Sequence, residues 1–398
     1  MQRHTRVLKC DPASISFSPS GTPIITDSDT EAALRDASRL LHELEPVAFP
    51  TETVYGLGAL ALDESAASKI FSTKGRPADN PLIVHVSSQA MLRRLLPEDY
   101  VLPKIYEVLM DHFWPGALTL LFPTEPSVVP SIITAGQPTV AVRMPSHPVA
   151  RALIAVSDAP IAAPSANSSG KPSPTRAEHV YRDLDGKLDL ILDGGPCDVG
   201  LESTVVDGLN ADGDLRVLRP GGITVEDLQS ALQTKADVLG RVPRVLVHRR
   251  DYKDEVIEQA PTTPGMKYRH YSPSVPVMLI YTSSPPPEGT SSKSTASLLQ
   301  DLKARHGNDT RHIKVGVLAP SDSPFLKITD TDGVEWRPFT LGTLAKPSIT
   351  AQRLFDGLLT LEKENVDVIL VEEVKEEREG LAVMNRVTKA AGASVWLA

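Results

Sequence analysis

The sequence predicts a two-domain α/β protein, in which a larger domain with a curved mixed sheet precedes a smaller domain with a parallel sheet. The chain has 398 residues, more than a single domain usually contains. Apolar residues make up 41% of it, enough to build packed cores. Short apolar strands alternate with amphipathic helices along most of the chain, which is typical of α/β folds.

The first domain is predicted to begin with a helix over residues 30–44, where apolar positions recur at helical spacing. A short strand at 46–51 follows and leads into a glycine turn and a second strand. The remaining elements predicted before residue 240 are helices at 64–73, 100–112 and 147–157 and strands at 81–88, 118–123, 139–145, 159–167, 188–195 and 203–209.

The predicted domains are a lead-in over residues 1–23, a first domain over 24–240, a linker over 241–274 and a second domain over 275–398. The linker is rich in proline, charge and tyrosine. In the second domain, strands alternate regularly with helices, which implies a parallel sheet. The predicted elements of this domain are strands at 275–281, 313–320 and 366–374 and helices at 296–305, 348–364 and 380–391.

Charge and cysteine content exclude several classes of protein. The net charge of −9 argues against binding nucleic acid by bulk attraction, so any cationic site must be local. Cys10 and Cys197 are the only cysteines, too few for a disulfide scaffold or a cysteine-rich zinc site. No apolar run reaches the length of a membrane span, so we expect no membrane association and a cytoplasmic location. The basic start of the chain leaves a mitochondrial share open.

The stretch "KGRPADNP" at residues 74–81 suggests a phosphate-binding loop. Lys74 is a point cation, and Arg76 is a planar fork suited to bidentate contact with phosphate. Gly75 allows close approach of the backbone, and the two prolines restrict the loop. The alternative is a basic helix C-terminus followed by a turn, where cations also suit the helix dipole.

Further polar clusters lie at predicted strand ends. "FPTETVYGLG" at 49–58 and "APSANSSGKPSPT" at 163–175 carry hydroxyl and amide groups. "VAVRMP" places Arg143 at the end of an alternating strand, and "ESTVVD" and "LRPGG" add a hydroxyl pair and another arginine. His85 lies within an apolar strand, where a buried core histidine is the alternative to a ligand contact. The chain has neither a P-loop nor a complete G-x-G-x-x-G motif.

These motifs, in this order, closely resemble those of the YrdC-type L-threonylcarbamoyl-AMP synthases. The "PGMKYRHYSP" linker and the second α/β domain resemble the longer, two-domain form of the family. The resemblance implies a YrdC-like first domain with a deep cationic cleft and a Rossmann-like second domain. It also implies a reaction in which L-threonine, bicarbonate and ATP give threonylcarbamoyl-adenylate and pyrophosphate, with Mg²⁺ accompanying ATP.

The resemblance further implies that the product feeds N6-threonylcarbamoylation of adenosine 37 in tRNA, through a downstream threonylcarbamoyl transferase complex. Lys74 and Arg76 are expected to act on the ATP phosphates, and no protein ligand set for a metal is assigned. The expected ATP contacts are Arg76, Asn80, Thr139, Ser165, Ser173, Arg219, Tyr268 and Tyr271, and the expected L-threonine contacts are Thr53, His85, Arg143, Ala163 and Ser203.

Three other interpretations compete with this one. A double-stranded RNA- or tRNA-binding protein without adenylate synthesis could use the same cations, but the motifs lack aromatic stacking platforms. A carbamoyltransferase of the hydrogenase-maturation type would need zinc motifs that two isolated cysteines cannot supply. An interaction scaffold leaves the ordered motifs unexplained.

Overall fold

The computed structural model describes residues 4–254, 258, 270–283, 288–306, 312–327 and 333–397. The chain divides into two compact units, one of residues 1–169 and 173–267 and the other of residues 170–172 and 268–398. No helix in the described ranges is long and apolar enough to cross a membrane.

The first unit is built from nine α-helices among its described residues. Several begin at a residue whose side chain accepts a first-turn amide, as Asp27, Asp63 and Thr224 do. The helices are α1 (Ser28–His42), α2 (Glu64–Lys74), α3 (Gln89–Arg93), α4 (Lys104–Phe113), α5 (Ser131–Thr134), α6 (Pro148–Val156), α7 (Ala177–Leu184), α8 (Val225–Thr234) and α9 (Ala236–Leu239).

The described strands of the first unit are mostly short. They are β1 (Arg6–Lys9), β2 (Ile15–Phe17), β3 (Pro23–Ile25), β4 (Val47–Phe49), β5 (Gly56–Leu60), β6 (Ile83–His85), β7 (Leu118–Pro123), β8 (Thr139–Arg143), β9 (Ile161–Ala162), β10 (Leu190–Asp193), β11 (Thr204–Asp207), β12 (Leu215–Arg219) and β13 (Val245–Val247).

Eleven of these strands form one mixed sheet in the order β1-β10-β4-β5-β9-β6-β8-β7-β11-β12-β13, and β2 pairs with β3 separately. An apolar cluster crosses five neighbouring strands in the middle of the sheet. It comprises Ile83, Leu121, Ala141, Val205 and Leu218. Because these strands are short and closely packed, residues at their ends are held in fixed register with one another.

The second unit contains a six-stranded sheet in the order β15-β19-β14-β18-β16-β17, and every adjacent pair in it is parallel. Its described strands are β14 (Val277–Tyr281), β15 (Ser292–Lys293), β16 (Ile313–Ala319), β17 (Val334–Thr340), β18 (Val368–Glu372) and β19 (Ala393–Leu397). Its helices are α10 (Thr295–His306), α11 (Pro347–Lys363) and α12 (Glu379–Ala390).

The predicted fold class is confirmed: an α/β chain with a large mixed sheet and a C-terminal parallel-sheet domain. Several details differ from the predicted elements, and the elements that were not predicted include α7, α8 and β17. The predicted lead-in contributes β1 to the edge of the large sheet, and the predicted linker contributes β13 to its other edge. The strand predicted over 159–167 is only Ile161–Ala162, because the chain then turns into a loop.

Candidate active site

The side chain of Arg76 folds back onto the loop that follows α2 and fixes its shape. Gly75 ends the helix with φ of 61°, in the left-handed region that glycine adopts without a steric penalty. The buried Arg76 guanidinium folds back and donates to the carbonyl oxygens of Asn80, at 3.2 Å, and Pro81, at 2.9 Å. The arginine therefore fixes the shape of the loop as well as supplying charge.

Lys74 joins this loop to the loop that follows β9. Its buried ammonium group donates to the carbonyl oxygens of Ser165 and Asn167, the second at 2.5 Å. Burial, followed by the charge of Arg76, holds the pKa of Lys74 well below its ordinary value. Two neighbouring buried cations make this region favourable for an anion.

Hydrogen bonds and an ion pair hold the guanidinium of Arg143 at the end of β8. Its guanidinium donates to the carbonyl oxygen of Gly116 at 3.1 Å and to the hydroxyl of Thr53 at 2.8 Å, and it forms a buried ion pair with Glu52. The second oxygen of Glu52 accepts the amide of Ser146 at 3.1 Å. The direction of the guanidinium is thereby fixed.

His85 lies opposite Arg143 in the register of the parallel strands β6 and β8. Its Nδ1 is 3.2 Å from the carbonyl oxygen of Ile83, and the side chain is buried. Burial, with a smaller effect of the Arg143 charge, lowers the pKa of His85 to about 3. The imidazole is therefore neutral at physiological pH.

Ser203 and Arg219 contact each other farther along the sheet, where β11 and β12 pair. The Ser203 hydroxyl lies 2.7 Å from that of Thr119, which pairs with Arg143 in the antiparallel register of β7 and β8. The Arg219 guanidinium donates to the Ser203 carbonyl at 2.9 Å and to its hydroxyl at 3.3 Å. Ser203 was expected to contact threonine and Arg219 to contact ATP, and the structure places the two residues in direct contact.

The predicted residues therefore fall into two groups at opposite ends of β6. The arginine group is Thr53, His85, Arg143, Ser203 and Arg219. The lysine group is Lys74, Arg76, Asn80, Ala163 and Ser165.

The lysine group is tied to the start of β6 because the Ala163 amide donates to the Ile83 carbonyl at 3.0 Å. His85 follows Ile83 by two residues, so these two positions are about 7 Å apart along the strand. A single extended ligand could therefore contact both groups.

The remaining predicted contacts belong to neither group. The buried Ser173 hydroxyl donates to Glu202 at 2.6 Å, next to Ser203. Thr139 begins β8, at the opposite end of that strand from Arg143, and its hydroxyl has no hydrogen-bond partner among the described residues. Tyr271 is buried in the second unit with its ring 5.3 Å from that of Phe355, and Tyr268 lies outside the described residues.

Three residues that shape this site were not predicted from the sequence: Glu52, Glu202 and Thr119. Glu52 and Glu202 stand within motifs quoted for their hydroxyl groups, "TET" and "LEST". The partners of these two glutamates lie far away along the chain. The sequence therefore showed only an acidic residue beside the predicted contacts. Each of the three bonds directly to a predicted residue, which makes it a positioning residue in this site.

Two family profiles match the chain. Residues 39–221 match the Sua5/YciO/YrdC profile, described as telomere recombination. Residues 223–392 match the profile described as threonylcarbamoyl-AMP synthase, C-terminal domain. Together they cover most of both units.

Curated relatives and solved structures match over nearly the whole chain. The threonylcarbamoyl-AMP synthase of Schizosaccharomyces pombe is 44% identical over 92% of this chain and 90% of its own length. That of Bacillus subtilis is 42% identical over 93% and 97%. The crystal structure of Pyrococcus abyssi Sua5 complexed with L-threonine is 38% identical, covers 99% of this chain and all of its own, and superposes with a TM-score of 0.74.

Proposed function

Because the chain belongs to the two-domain Sua5/YrdC family of threonylcarbamoyl-AMP synthases, we infer that it is an enzyme that makes threonylcarbamoyl-AMP. L-threonine is the substrate that the family names and the threonine-bound Sua5 structure support. We propose ATP and bicarbonate as the other two substrates and pyrophosphate as the second product. The names of these relatives give no support to an RNA-binding protein without adenylate synthesis.

The arrangement of Arg143 is the observation that carries the assignment of the threonine end. Three of its five N–H groups are engaged by Gly116, Thr53 and Glu52, which leaves two for a substrate carboxylate. Neutral His85 beside it can bond an amino-acid substrate without repelling either Arg143 or an ammonium group. We propose that four members of the arginine group hold threonine in this way: Thr53, His85, Arg143 and Ser203.

Lys74, Arg76 and Asn80 of the lysine group are proposed to hold the ATP phosphates, and Ala163 of the same group is proposed to contact threonine. Lys74 uses two of its three N–H donors on the carbonyl oxygens of Ser165 and Asn167, which leaves one for a phosphate oxygen. Arg76 adds a second cation that its loop holds in place. Charge developing on the leaving pyrophosphate would then be stabilised by groups that need no rearrangement.

The proposed chemistry needs positioning more than covalent catalysis. Bicarbonate takes up a proton and gives CO₂ and water, and the amine of threonine loses a proton as it captures that CO₂ as a carbamate. A carbamate oxygen then attacks the α-phosphorus of ATP, and the bond from that phosphorus to pyrophosphate breaks. The short span of β6 between the two groups would bring the carbamate and the α-phosphate together. No general base of the protein is assigned to the attack, because the carbamate is already anionic.

Mg²⁺ is proposed to accompany ATP. The described residues contain no group of three or more histidine, cysteine, aspartate or glutamate side chains that could hold a metal ion. We propose that the ion binds together with the ATP phosphates. When bound, it would supply positive charge to the transferring phosphates.

Two assignments rest on the family resemblance. Tyr271 and Tyr268 are proposed to belong to a lid that keeps water from the labile adenylate. The adenylate is proposed to pass to a threonylcarbamoyl transferase complex that modifies adenosine 37 of tRNA.

The direct test is release of pyrophosphate by the purified chain with ATP and Mg²⁺. We expect release that requires both L-threonine and bicarbonate, accompanied by a nucleotide product with the mass of threonylcarbamoyl-AMP. L-alanine in place of L-threonine is the control. Release that is indifferent to threonine, or its absence with all substrates present, would refute the proposed function.

A further inference from the structure

A cavity lies at the carboxyl ends of the parallel strands in the second unit. It has a volume of about 540 Å³, and its lining includes Tyr281 at the end of β14 and Glu372 at the end of β18. Ser323, in the segment after β16, also lines it. In open parallel α/β sheets, ligands bind in the crevice beyond these strand ends. The proposed synthase chemistry uses none of these residues.

Glu372 carries an incomplete set of hydrogen bonds in this cavity. The residue is 7% exposed. Its Oε1 accepts the hydroxyl of Ser323 at 2.8 Å and that of Thr282 at 3.3 Å. Its Oε2 is buried and has no hydrogen-bond partner in the part of the chain that the structure describes. A buried carboxylate oxygen without a donor is costly, and it calls for a partner that binds there.

The charges around the cavity define the kind of partner. The described lining contains three glutamates, Glu372, Glu373 and Glu376, against one cation, Lys375. Burial, together with the charges of Glu373 and Asp322, raises the pKa of Glu372. This surplus of negative charge disfavours phosphates and carboxylates and favours a positively charged hydrogen-bond donor.

Hydrogen bonds and close packing hold the rim of the cavity in place. Glu373 accepts the backbone amides of Thr282 and Ser283, at 2.6 and 2.5 Å, which ties the ends of β14 and β18 together. Gly380, near the start of α12, packs so closely on the carbonyl oxygen of Lys375 that no side chain fits there. The segment between β18 and α12 is therefore held against the helix.

We propose that this cavity binds a small organic cation whose ammonium group pairs with the carboxylate of Glu372. The hydroxyls of Thr282 and Ser323 hold one carboxylate oxygen and so orient the group. Met384 and Leu344 also line the cavity and offer apolar surface to the carbon chain of the ligand. The second unit then carries a binding site of its own, independent of adenylate synthesis.

Titration calorimetry of the full chain tests this site, with putrescine as the probe and 1,4-butanediol as its uncharged counterpart. We expect putrescine to bind and butanediol to give no heat. Glu372→Gln should weaken putrescine binding roughly 10- to 100-fold, the loss expected for one charge-assisted hydrogen bond. Glu364→Gln, an exposed glutamate outside the cavity lining, is the matched control and should bind as the unaltered chain does.

Methyl NMR of ¹³C-methionine locates the bound probe without altering Glu372, so the test does not depend on the folding of that variant. Putrescine should shift the Met384 methyl signal, assigned with Met384→Leu, and leave that of Met110 in the first unit unchanged. The proposal is overturned if putrescine fails to bind, if butanediol binds equally well, if Glu372→Gln binds normally, or if the Met384 signal does not move.

Discussion

At the scale of single residues, the site depends on buried charges that are paired with one another. Arg143 and Glu52 form an ion pair with both side chains less than 10% exposed. Removing one member of such a pair leaves the other uncompensated in a poorly solvated place, which costs more than the intact pair contributes. Variants that test Arg143 should therefore keep its positive charge.

Arg143→Lys should raise the KM for L-threonine more than the KM for ATP. Lysine keeps the ion pair with Glu52 but loses the planar fork that a carboxylate needs. We expect a loss of about 1.5–3 kcal/mol, or roughly 10- to 150-fold in kcat/KM for threonine. Glu52→Gln leaves the buried Arg143 charge without its counter-ion, so it should raise the KM for threonine and also lower the stability of the first unit.

Steady-state kinetics with each substrate varied in turn measures this difference. Glu43→Gln removes an exposed carboxylate that pairs with Arg39 and is the matched control for Glu52→Gln. Equal increases in the KM for threonine and for ATP would contradict the role assigned to Arg143.

His85 should make the stability of the first unit depend on pH. Its pKa is about 3 in the folded chain, against about 6.5 in the unfolded chain. As the pH falls, His85 is protonated in the unfolded chain before it is protonated in the folded chain. The stability that neutral His85 allows above pH 6.5 is therefore lost as the pH falls toward 3. Between pH 7 and pH 5 the unaltered chain should lose about 2 kcal/mol more than His85→Asn.

Urea unfolding of both proteins at the two pH values tests this prediction. The buried His147, whose pKa is also lowered, is present in both proteins, so its effect cancels in the comparison. The same loss of stability in both would show that His85 is not kept neutral by its surroundings.

At the scale of helices and strands, short strands bring residues from distant motifs into contact. β6 separates the lysine group from the arginine group, and β8 sets Arg143 opposite His85. The turn after β12 adds a close approach, because a side chain at Gly221 would collide with the backbone of residues 202–204. That backbone carries Ser203 and Glu202, so the glycine allows the turn to pack onto the site.

Gly221→Ala should therefore lower both stability and activity. Backbone atoms cannot move aside as a side chain can, so we expect a loss of about 1–3 kcal/mol in the free energy of unfolding. Displacement of Ser203 should also reduce pyrophosphate release. Gln229→Ala on the exposed face of α8 is the control. Unchanged melting and turnover in Gly221→Ala would show that the turn can shift without cost.

Two strands that were not predicted from the sequence, β13 and β17, share a physical cause. β13 is only Val245–Val247, and its pairing with β12 is what makes it a strand. β17 contains Pro338 and several exposed residues, which is tolerated because it lies at a sheet edge. Neither segment has the long apolar alternation by which a strand is recognised locally.

At the scale of the whole molecule, the structure changes where the chain can be divided. The sequence analysis placed the end of the first domain at residue 240, so a chain cut there would be expected to keep its sheet. That cut removes β13 from the sheet, together with Arg241 and Arg244, which both pair with the fully buried Asp214. A chain ending at residue 254 keeps the strand and both ion pairs.

We expect the chain ending at residue 254 to fold and the chain ending at residue 240 to be markedly less stable. Both lack the proposed lid, so both should form less threonylcarbamoyl-adenylate than the full chain. Thermal unfolding followed by circular dichroism, with pyrophosphate release, compares the three proteins. Full activity in the chain ending at 254 would refute the lid, and equal melting of the two shorter chains would show that β13 contributes little.

The sequence by itself determined the fold class, the main helices and strands, and the motifs by which the family is identified. These follow from local signals: apolar periodicity, helix caps, and short polar clusters whose residue types are visible in one stretch. Lys74, Arg76 and Arg143 were found in this way, whereas His85 was assigned as a ligand contact only through the family resemblance.

Only the tertiary structure decided how those residues are held. Glu52 meets Arg143 and Glu202 meets Ser173 across long stretches of chain, Ser203 contacts Arg219, and Glu372 is left with an unpaired buried oxygen. Such pairings depend on strand order and register, which are set by the packing of the whole sheet. A local sequence pattern does not specify which distant residue a side chain will contact.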